Sequence, residues 1–387
     1  MSFFLRAIVV LVVWAGTLPG TAAQAGAAAA EPFGQDVFGT QSASSEVELQ
    51  KGISLTSQGR FAEAIPHLRA AQGRVREEYA AAFNLALCDV ATGQDKPAIR
   101  ILTELRESGH NTANLHDLLA QAYAGTGQEV EALTSLKQAL ALEPNNEKLY
   151  LYVEDAATGH QNYELALKIL DLSLQKMPNS ARLHYERGVL LSMLDDFDSG
   201  RKDFDAARQF APASTIAYLA AAQASLYEGN IDDAIRVARE GVQKASEDYM
   251  LLAILGEALI RSGIEPGESG FLEAKAALEK SVAQKPTYSS SQISLGKIYL
   301  MEGRLDNAIS HLEIGRTLKA DDAAVYATLA TAYRRKGEAQ RAQEMLTILA
   351  RLNREQAARI AGAGGDHRSA YGMSRARQTD AGSTSQP

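Results

Sequence analysis

Apolar residues recur at three- and four-residue spacing through most of the chain. The stretch from Ala120 to Pro144 shows the pattern, with apolar side chains at Tyr123, Leu133 and Leu136 and polar residues between them. Spacing of this kind places the apolar residues on one side of an α-helix. The stretch therefore predicts two amphipathic helices, one before and one after Gly127, and the chain as a whole predicts an all-α fold.

These predicted helix pairs repeat with a fixed period. Glycines stand 34 residues apart at Gly59, Gly93 and Gly127. Prolines follow the same period at Pro144, Pro178 and Pro212. One further column is small in every copy and consists of Ala64, Ala98, Ala132, Ala166, Gly200, Ala234, Ala274, Ala308 and Ala342. Only the step from Ala234 to Ala274 differs, at 40 residues, so the chain is a repeat array.

Each recurring residue type has a physical reason. Small side chains let two helix backbones approach closely where the helices cross. A glycine between the helices can take a positive φ and end the first helix. A proline after the second helix stops it, because proline cannot continue the backbone hydrogen-bond ladder. The pattern predicts a helix, a tight turn and a second helix in every unit.

The segments "LLAQAYAGTGQEVEALTSLKQALALEP" and "SLGKIYLMEGRLDNAISHLEIGRTL" carry this pattern most fully, and they resemble the tetratricopeptide repeat. The resemblance implies a right-handed superhelical solenoid of about nine 34-residue helix–turn–helix repeats over residues 45–356. The repeats would begin near Ser45, Tyr79, Ala113, Glu147, Ala181, Thr215, Tyr249, Ser289 and Ala323. Residues 357–361 would end the capping helix that a solenoid needs.

Two repeats depart from the pattern. In the fourth, Glu154 occupies a second position that is glycine or alanine in the other eight repeats. In the same repeat, Gln161 replaces the turn glycine. A buried glutamate needs a partner, so this repeat is either a weak joint or a functional site. In the seventh, six extra residues in "GIEPGESGF" lengthen the turn. Such an insertion is either a tolerated surface loop or part of a binding face.

The two ends of the chain have a different composition. Residues 1–23 carry Arg6 and an apolar run from Ala7 to Leu18, and Ala23 and Ala25 flank Gln24 as an A-x-A site, which predicts a cleaved signal peptide. The alternative is an uncleaved membrane anchor, although the run is shorter than a spanning helix needs. Residues 24–44 are predicted as a flexible linker and residues 362–387 as a disordered tail.

Charge and motif content exclude several functions. A net charge of −8 argues against binding nucleic acid. Cys88 is the single cysteine, which excludes an internal disulfide and a cysteine-based zinc cluster. The seven histidines lack metal-binding spacing, and catalytic and nucleotide-binding motifs are missing. The sequence therefore predicts a protein that is not an enzyme and holds no cofactor and no metal.

The resemblance implies that the first helix of each repeat lines a concave groove. The large residues at these positions are mainly apolar and suit a protein or peptide partner: Tyr185, Val189, Met193, Leu219, Leu226, Tyr227, Met250, Ile260, Leu300, Met301, Arg334 and Arg335. Repeats three and four contribute polar residues instead, namely Asn114, Asp117, Gln121, Lys148 and Asp155. The alternative is that several of the apolar residues pack against neighbouring repeats.

Together these features predict an exported scaffold for protein–protein interactions, located in the periplasm or outside the cell. After signal cleavage it would have no integral membrane domain. The alternative function is that of a non-catalytic subunit in an envelope enzyme, polysaccharide-synthesis or secretion complex. The sequence identifies neither the partner nor the oligomeric state.

Overall fold

The computed structural model describes residues 36–355 and residue 357, with side-chain environments from residue 44 onward. This part of the chain contains eighteen α-helices and no strand, which confirms the all-α prediction. The helices are α1 Asp36–Ser57, α2 Phe61–Ala71, α3 Glu78–Ala91, α4 Asp95–Glu107, α5 Ala113–Gly125, α6 Glu129–Leu142, α7 Glu147–Gly159, α8 Tyr163–Lys176, α9 Ala181–Met193, α10 Phe197–Phe210, α11 Thr215–Glu228, α12 Ile231–Lys244, α13 Tyr249–Arg261, α14 Ser269–Gln284, α15 Ser289–Met301, α16 Leu305–Leu318, α17 Ala323–Lys336 and α18 339–355.

The helices pair in chain order, so each odd-numbered helix is the first helix of a repeat. Seven of them begin at the residue where the sequence places the start of a repeat: Ala113, Glu147, Ala181, Thr215, Tyr249, Ser289 and Ala323. The chain divides into two compact units, the first ending at Ala258 and the second beginning at Leu259, within α13.

The column of small residues lies where paired helices cross. In the first unit, Ala132 and its counterparts are fully buried, and the same holds for Ala274 and Ala308 in the second. Gly200 shows why size is restricted: a Cβ there would lie 2.5 Å from Ser192 Oγ and 2.9 Å from the carbonyl oxygen of Gly188. The prediction that this column forms the helix crossings is confirmed.

Neighbouring repeats pack against one another through both of their helices. In the first unit the second helices of repeats one to five contact the first helix of their own repeat and of the next, as α10 contacts α9 and α11. First helices of neighbouring repeats also contact each other, in the pairs α1–α3, α3–α5, α5–α7 and α9–α11. In the second unit, α15 contacts α17 in the same way. The first helices in each of these pairs thus lie side by side.

The turn between paired helices adopts a left-handed conformation even where glycine is replaced. The turn glycines have positive φ, for example 75° at Gly127. Gln161 and Asp195 occupy the same position in the fourth and fifth repeats, with φ of 61° and 64°. A residue other than glycine in this region is strained by about 1–3 kcal/mol. The repeat stacking holds both turns in place despite this strain.

The other departures are also visible. Glu154 is buried, and Thr158 Oγ1 donates a hydrogen bond to its Oε1 at 2.8 Å, so the glutamate has a partner. The insertion in repeat seven forms a seven-residue connection, residues 262–268, between α13 and α14. Ile264 within it is buried and contacts Gly270, so part of the loop packs on the protein.

The chain ends lie largely outside the described residues. The predicted signal peptide, residues 1–23, and the predicted tail, residues 362–387, belong to these parts, as does most of the capping segment 357–361. Helix α1 begins at Asp36, so the last nine residues of the segment assigned to the linker are helical. From residue 36 to residue 355, none of the helices combines the length and the apolar character needed to cross a bilayer.

Candidate binding surface

The predicted groove residues divide by exposure, and five of them are core. The side chains of these five are only 1–8 % exposed: Tyr185, Leu219, Leu226, Met250 and Leu300. Leu226, which was predicted to face the groove, is therefore a packing residue, in agreement with the alternative for several of these positions. Helix α11 packs against α9, α10 and α12 together, and this leaves little of its surface free.

Tyr185 illustrates how a predicted ligand contact becomes a packing residue. Its ring lies 6.1 Å from the ring of Phe204 on α10. The guanidinium carbon of Arg182 lies 5.8 Å from the centre of the Tyr185 ring, and Arg182 Nη1 lies 4.0 Å from Met250 Sδ. The interactions of Tyr185 and Met250 therefore lie within the protein.

The remaining predicted residues keep part of their surface. In the first unit, Val189 and Met193 on α9 and Tyr227 on α11 are half-buried. In the second unit the residues that retain exposure are half-buried Ile260 and Met301 and exposed Arg334 and Arg335. Arg335 already makes one hydrogen bond within the protein, because its Nη1 donates to the carbonyl oxygen of Leu300 at 3.1 Å.

The polar residues predicted for the groove in repeat three are more buried than their polar side chains lead one to expect. Asp117 and Gln121 on α5 are buried, and Gln121 Nε2 donates a hydrogen bond to Asp117 Oδ2 at 2.8 Å. Asp117 Oδ1 has no hydrogen-bond partner in the protein. Burial raises the pKa of Asp117 well above its ordinary value, against the opposing effect of the Gln121 hydrogen bond. Asn114 beside them is half-buried.

An ion-pair network that the sequence did not reveal joins repeats four and five. Arg187 on α9 donates to both carboxylate oxygens of Asp203 on α10, at 2.7 and 2.8 Å, and to Asp171 Oδ1 on α8 at 2.8 Å. His184 Nδ1 lies 2.7 Å from Asp203 Oδ1. Burial opposes ionisation of Asp203, but the hydrogen bonds from His184 and Arg187 outweigh it and lower the pKa of Asp203. These groups hold the repeats together.

The potential metal ligands among the described residues are dispersed, and the single cysteine lies in the core. Between residues 44 and 355, His, Cys, Asp and Glu side chains do not gather in groups of three or more that suit a metal ion. Cys88 is buried with its sulfur 3.2 Å from Thr56 Oγ1, and burial raises the pKa of its thiol to about 11. The thiol is therefore neutral at physiological pH, as a structural cysteine is.

Comparison with known proteins finds similarity to tetratricopeptide repeats over part of the chain. Two family models described as tetratricopeptide repeat match residues 55–122 and 113–146. The TPR repeat-containing protein YpiA of Bacillus subtilis (strain 168) is 25 % identical over 145 residues, which is 38 % of this chain and 34 % of that protein. The chain thus matches about a third of the length of this relative.

Two solved structures show similarity at low sequence identity. A tetratricopeptide repeat protein from Parabacteroides merdae is 18 % identical with a TM-score of 0.40, covering 75 % of this chain and 99 % of that one. YrrB, described as a TPR protein with an unusual peptide-binding site, is 16 % identical with a TM-score of 0.32, covering 50 % and 97 %. The two matching family models alone show that the helix pairs between residues 55 and 146 are tetratricopeptide repeats.

Proposed function

We propose that this protein is an exported scaffold that holds a segment of another protein against the first helices of its repeats. Tetratricopeptide repeats generally mediate protein–protein interactions, and proteins built from them are typically non-catalytic. Their role as a binding surface follows from their geometry, because stacked repeats present an extended face.

One observation carries the proposal. Helices α9 and α11 contact each other, and along them Val189, Met193 and Tyr227 keep part of their apolar surface exposed. Flexible methionine and aromatic side chains on adjacent helices suit an apolar stretch of a partner. The energy of such contacts usually concentrates in a few large side chains. Val189 and Met193 are therefore better candidates for contact with a partner than the buried Tyr185 and Leu226.

Site-specific photocrosslinking in the native cell tests this surface. With a photoreactive amino acid at Val189, we expect a discrete adduct whose partner mass spectrometry identifies. The matched control is Arg236, which is exposed on the second helix α12 and should give no such adduct. Equal labelling from both positions, or none from Val189, would place the partner elsewhere on the chain.

The identity of the captured protein also decides between the two functions. An enzyme of envelope polymer synthesis or of secretion would assign the protein as a non-catalytic subunit of that machine. A partner outside such complexes would support a free-standing scaffold.

Export is the second part of the proposal, and the composition of residues 1–23 supports it. We expect the mature chain to begin near Gln24 or Gly26 and to lack tryptophan, because Trp14 is the single tryptophan. Intact-mass measurement on protein from the envelope fraction checks this. A chain that retains residues 1–23 in that fraction would favour the uncleaved anchor.

A further inference from the structure

The turn of the fifth repeat differs from the other turns in composition. Leu194 stands at a position that is polar in the other eight repeats, as Gln58, Thr92, Thr126, His160, Glu228, Ser262, Glu302 and Lys336. Three residues later, Phe197 opens α10. The turn as a whole reads Leu-Asp-Asp-Phe-Asp, with no basic residue among the five.

The structure leaves both apolar side chains of this turn exposed. Phe197 is 48 % exposed, whereas Phe61 and Phe271 at the same position of their repeats are 2 % and 1 % exposed. Leu194 is 38 % exposed. The half-buried ring of Tyr227 stacks on Phe204 and lies 6.0 Å from the Phe197 ring. Tyr227 therefore packs against one side of Phe197. Leu194, Phe197 and Tyr227 are called the turn patch below.

Acidic groups surround the turn patch. Asp195, Asp196 and Asp198 are exposed beside it, and Glu228 is exposed next to Tyr227. In the part of the chain that the structure describes, Asp195 and Asp198 form no ion pair with a basic side chain. The basic groups nearby are Lys202, one turn further along α10, and Arg201, whose Nε lies 3.3 Å from Glu228 Oε1.

We infer that the turn patch binds a protein segment in which large apolar residues alternate with lysine or arginine. The inference rests on the proposed function, since it names the chemistry of a segment that the scaffold would hold. An apolar anchor would cover Phe197 and Leu194, and basic side chains would meet Asp195 and Asp198. The acidic rim disfavours an anionic membrane surface, because like charges repel at close range.

Fluorescence anisotropy with defined peptides tests this assignment. The probe is a labelled peptide of about 15 residues with leucine anchors among lysines, compared with one in which glutamate replaces lysine and one in which serine replaces leucine. We expect only the lysine–leucine peptide to bind the full chain with appreciable affinity. Its binding should weaken when salt rises from about 50 to about 300 mM, because salt screens the charge attraction.

Variants locate the binding. The double variant Leu194→Ser/Phe197→Ser should weaken binding of the lysine–leucine peptide by at least about tenfold. Asp195→Asn/Asp198→Asn should weaken it several-fold while keeping the apolar surface, and asparagine tolerates the positive φ at residue 195. The matched control is Val130→Ser, a 74 % exposed apolar residue between two glutamates, which should change binding less than about twofold.

Several outcomes would overturn the assignment. Equal binding of the glutamate peptide, or unchanged binding by both patch variants, would show that the turn patch does not select a basic apolar segment. Binding of phosphatidylglycerol vesicles that is lost in Phe197→Ser would assign the patch to a membrane instead. If the peptides fail but crosslinking at Val189 still captures a partner, the scaffold function stands and only the turn-patch assignment fails.

Discussion

Replacing Leu226 with serine should destabilise the first unit by about 3–5 kcal/mol. Leu226 is 1 % exposed on α11, which is enclosed by α9, α10 and α12. Removing a buried leucine side chain loses its transfer free energy and leaves a cavity, which together amount to about 2–5 kcal/mol. The serine hydroxyl adds the penalty of a polar group placed in an apolar site. Urea unfolding of the full chain measures the loss.

Leu194→Ser is the matched control for this change. The two positions carry the same residue type in neighbouring repeats, but Leu194 is 38 % exposed and should lose less than about 1 kcal/mol. If Leu226→Ser unfolds at the same urea concentration as the unchanged chain, Leu226 is not a core residue. Leu226 would then again be a candidate for contact with a partner in the groove.

The fold was predictable because its constraints are local and repeated. A residue such as Gly200 must be small, since any Cβ would meet the backbone of the crossing helix. The other repeats carry alanine at this position, so a restriction to glycine or alanine returns in every repeat and makes the period visible in a single sequence. The start of helices such as α9 at Ala181 follows from that register alone.

The binding surface was less predictable because exposure depends on neighbouring repeats. Tyr185 and Val189 both lie on α9 and both were predicted to face a ligand, yet the first is buried and the second half-buried. Phe61 and Phe197 share a position in their repeats, but only the first is covered. What covers a side chain depends on how the helices pack in three dimensions, and the spacing within one repeat does not specify it.

Asp95 carries a pH-dependent effect on stability. It opens α4 and is buried, and a Cβ at Gly125 on α5 would lie 2.5 Å from its Oδ2. His160 Nε2, from the end of α7, lies 3.7 Å from the same oxygen. Burial raises the pKa of Asp95 to about 6, and burial also lowers the pKa of His160. The carboxyl group thus contacts helices of three successive repeats in a setting that favours its neutral form.

The sign of the effect follows from these pKa shifts. The pKa of an aspartate in the unfolded chain is about 4. Because the pKa of Asp95 in the folded chain is higher, its contribution to stability is fully present below about pH 4 and is lost as the pH rises through about 6. A folded-state pKa that lies about two above the unfolded-state pKa corresponds to about 2–3 kcal/mol in the free energy of unfolding. The folded chain therefore loses about this much stability from Asp95 between mildly acidic and mildly alkaline pH.

Asp95→Asn should remove this dependence, because asparagine resembles the neutral carboxyl group at every pH. We expect the variant and the unchanged chain to have similar free energies of unfolding near pH 4, and the variant to be more stable by about 2–3 kcal/mol near pH 8. Other titrating groups, including Asp89 with its pKa also raised to about 6 by burial, are common to both chains and cancel in the comparison. The exposed Asp198→Asn serves as control and should give a difference that stays below about 0.5 kcal/mol at both pH values. If the free energies of unfolding of Asp95→Asn and of the unchanged chain vary in parallel with pH, the Asp95 carboxyl is as well solvated as one at the surface. It would then not join the three repeats as a neutral group.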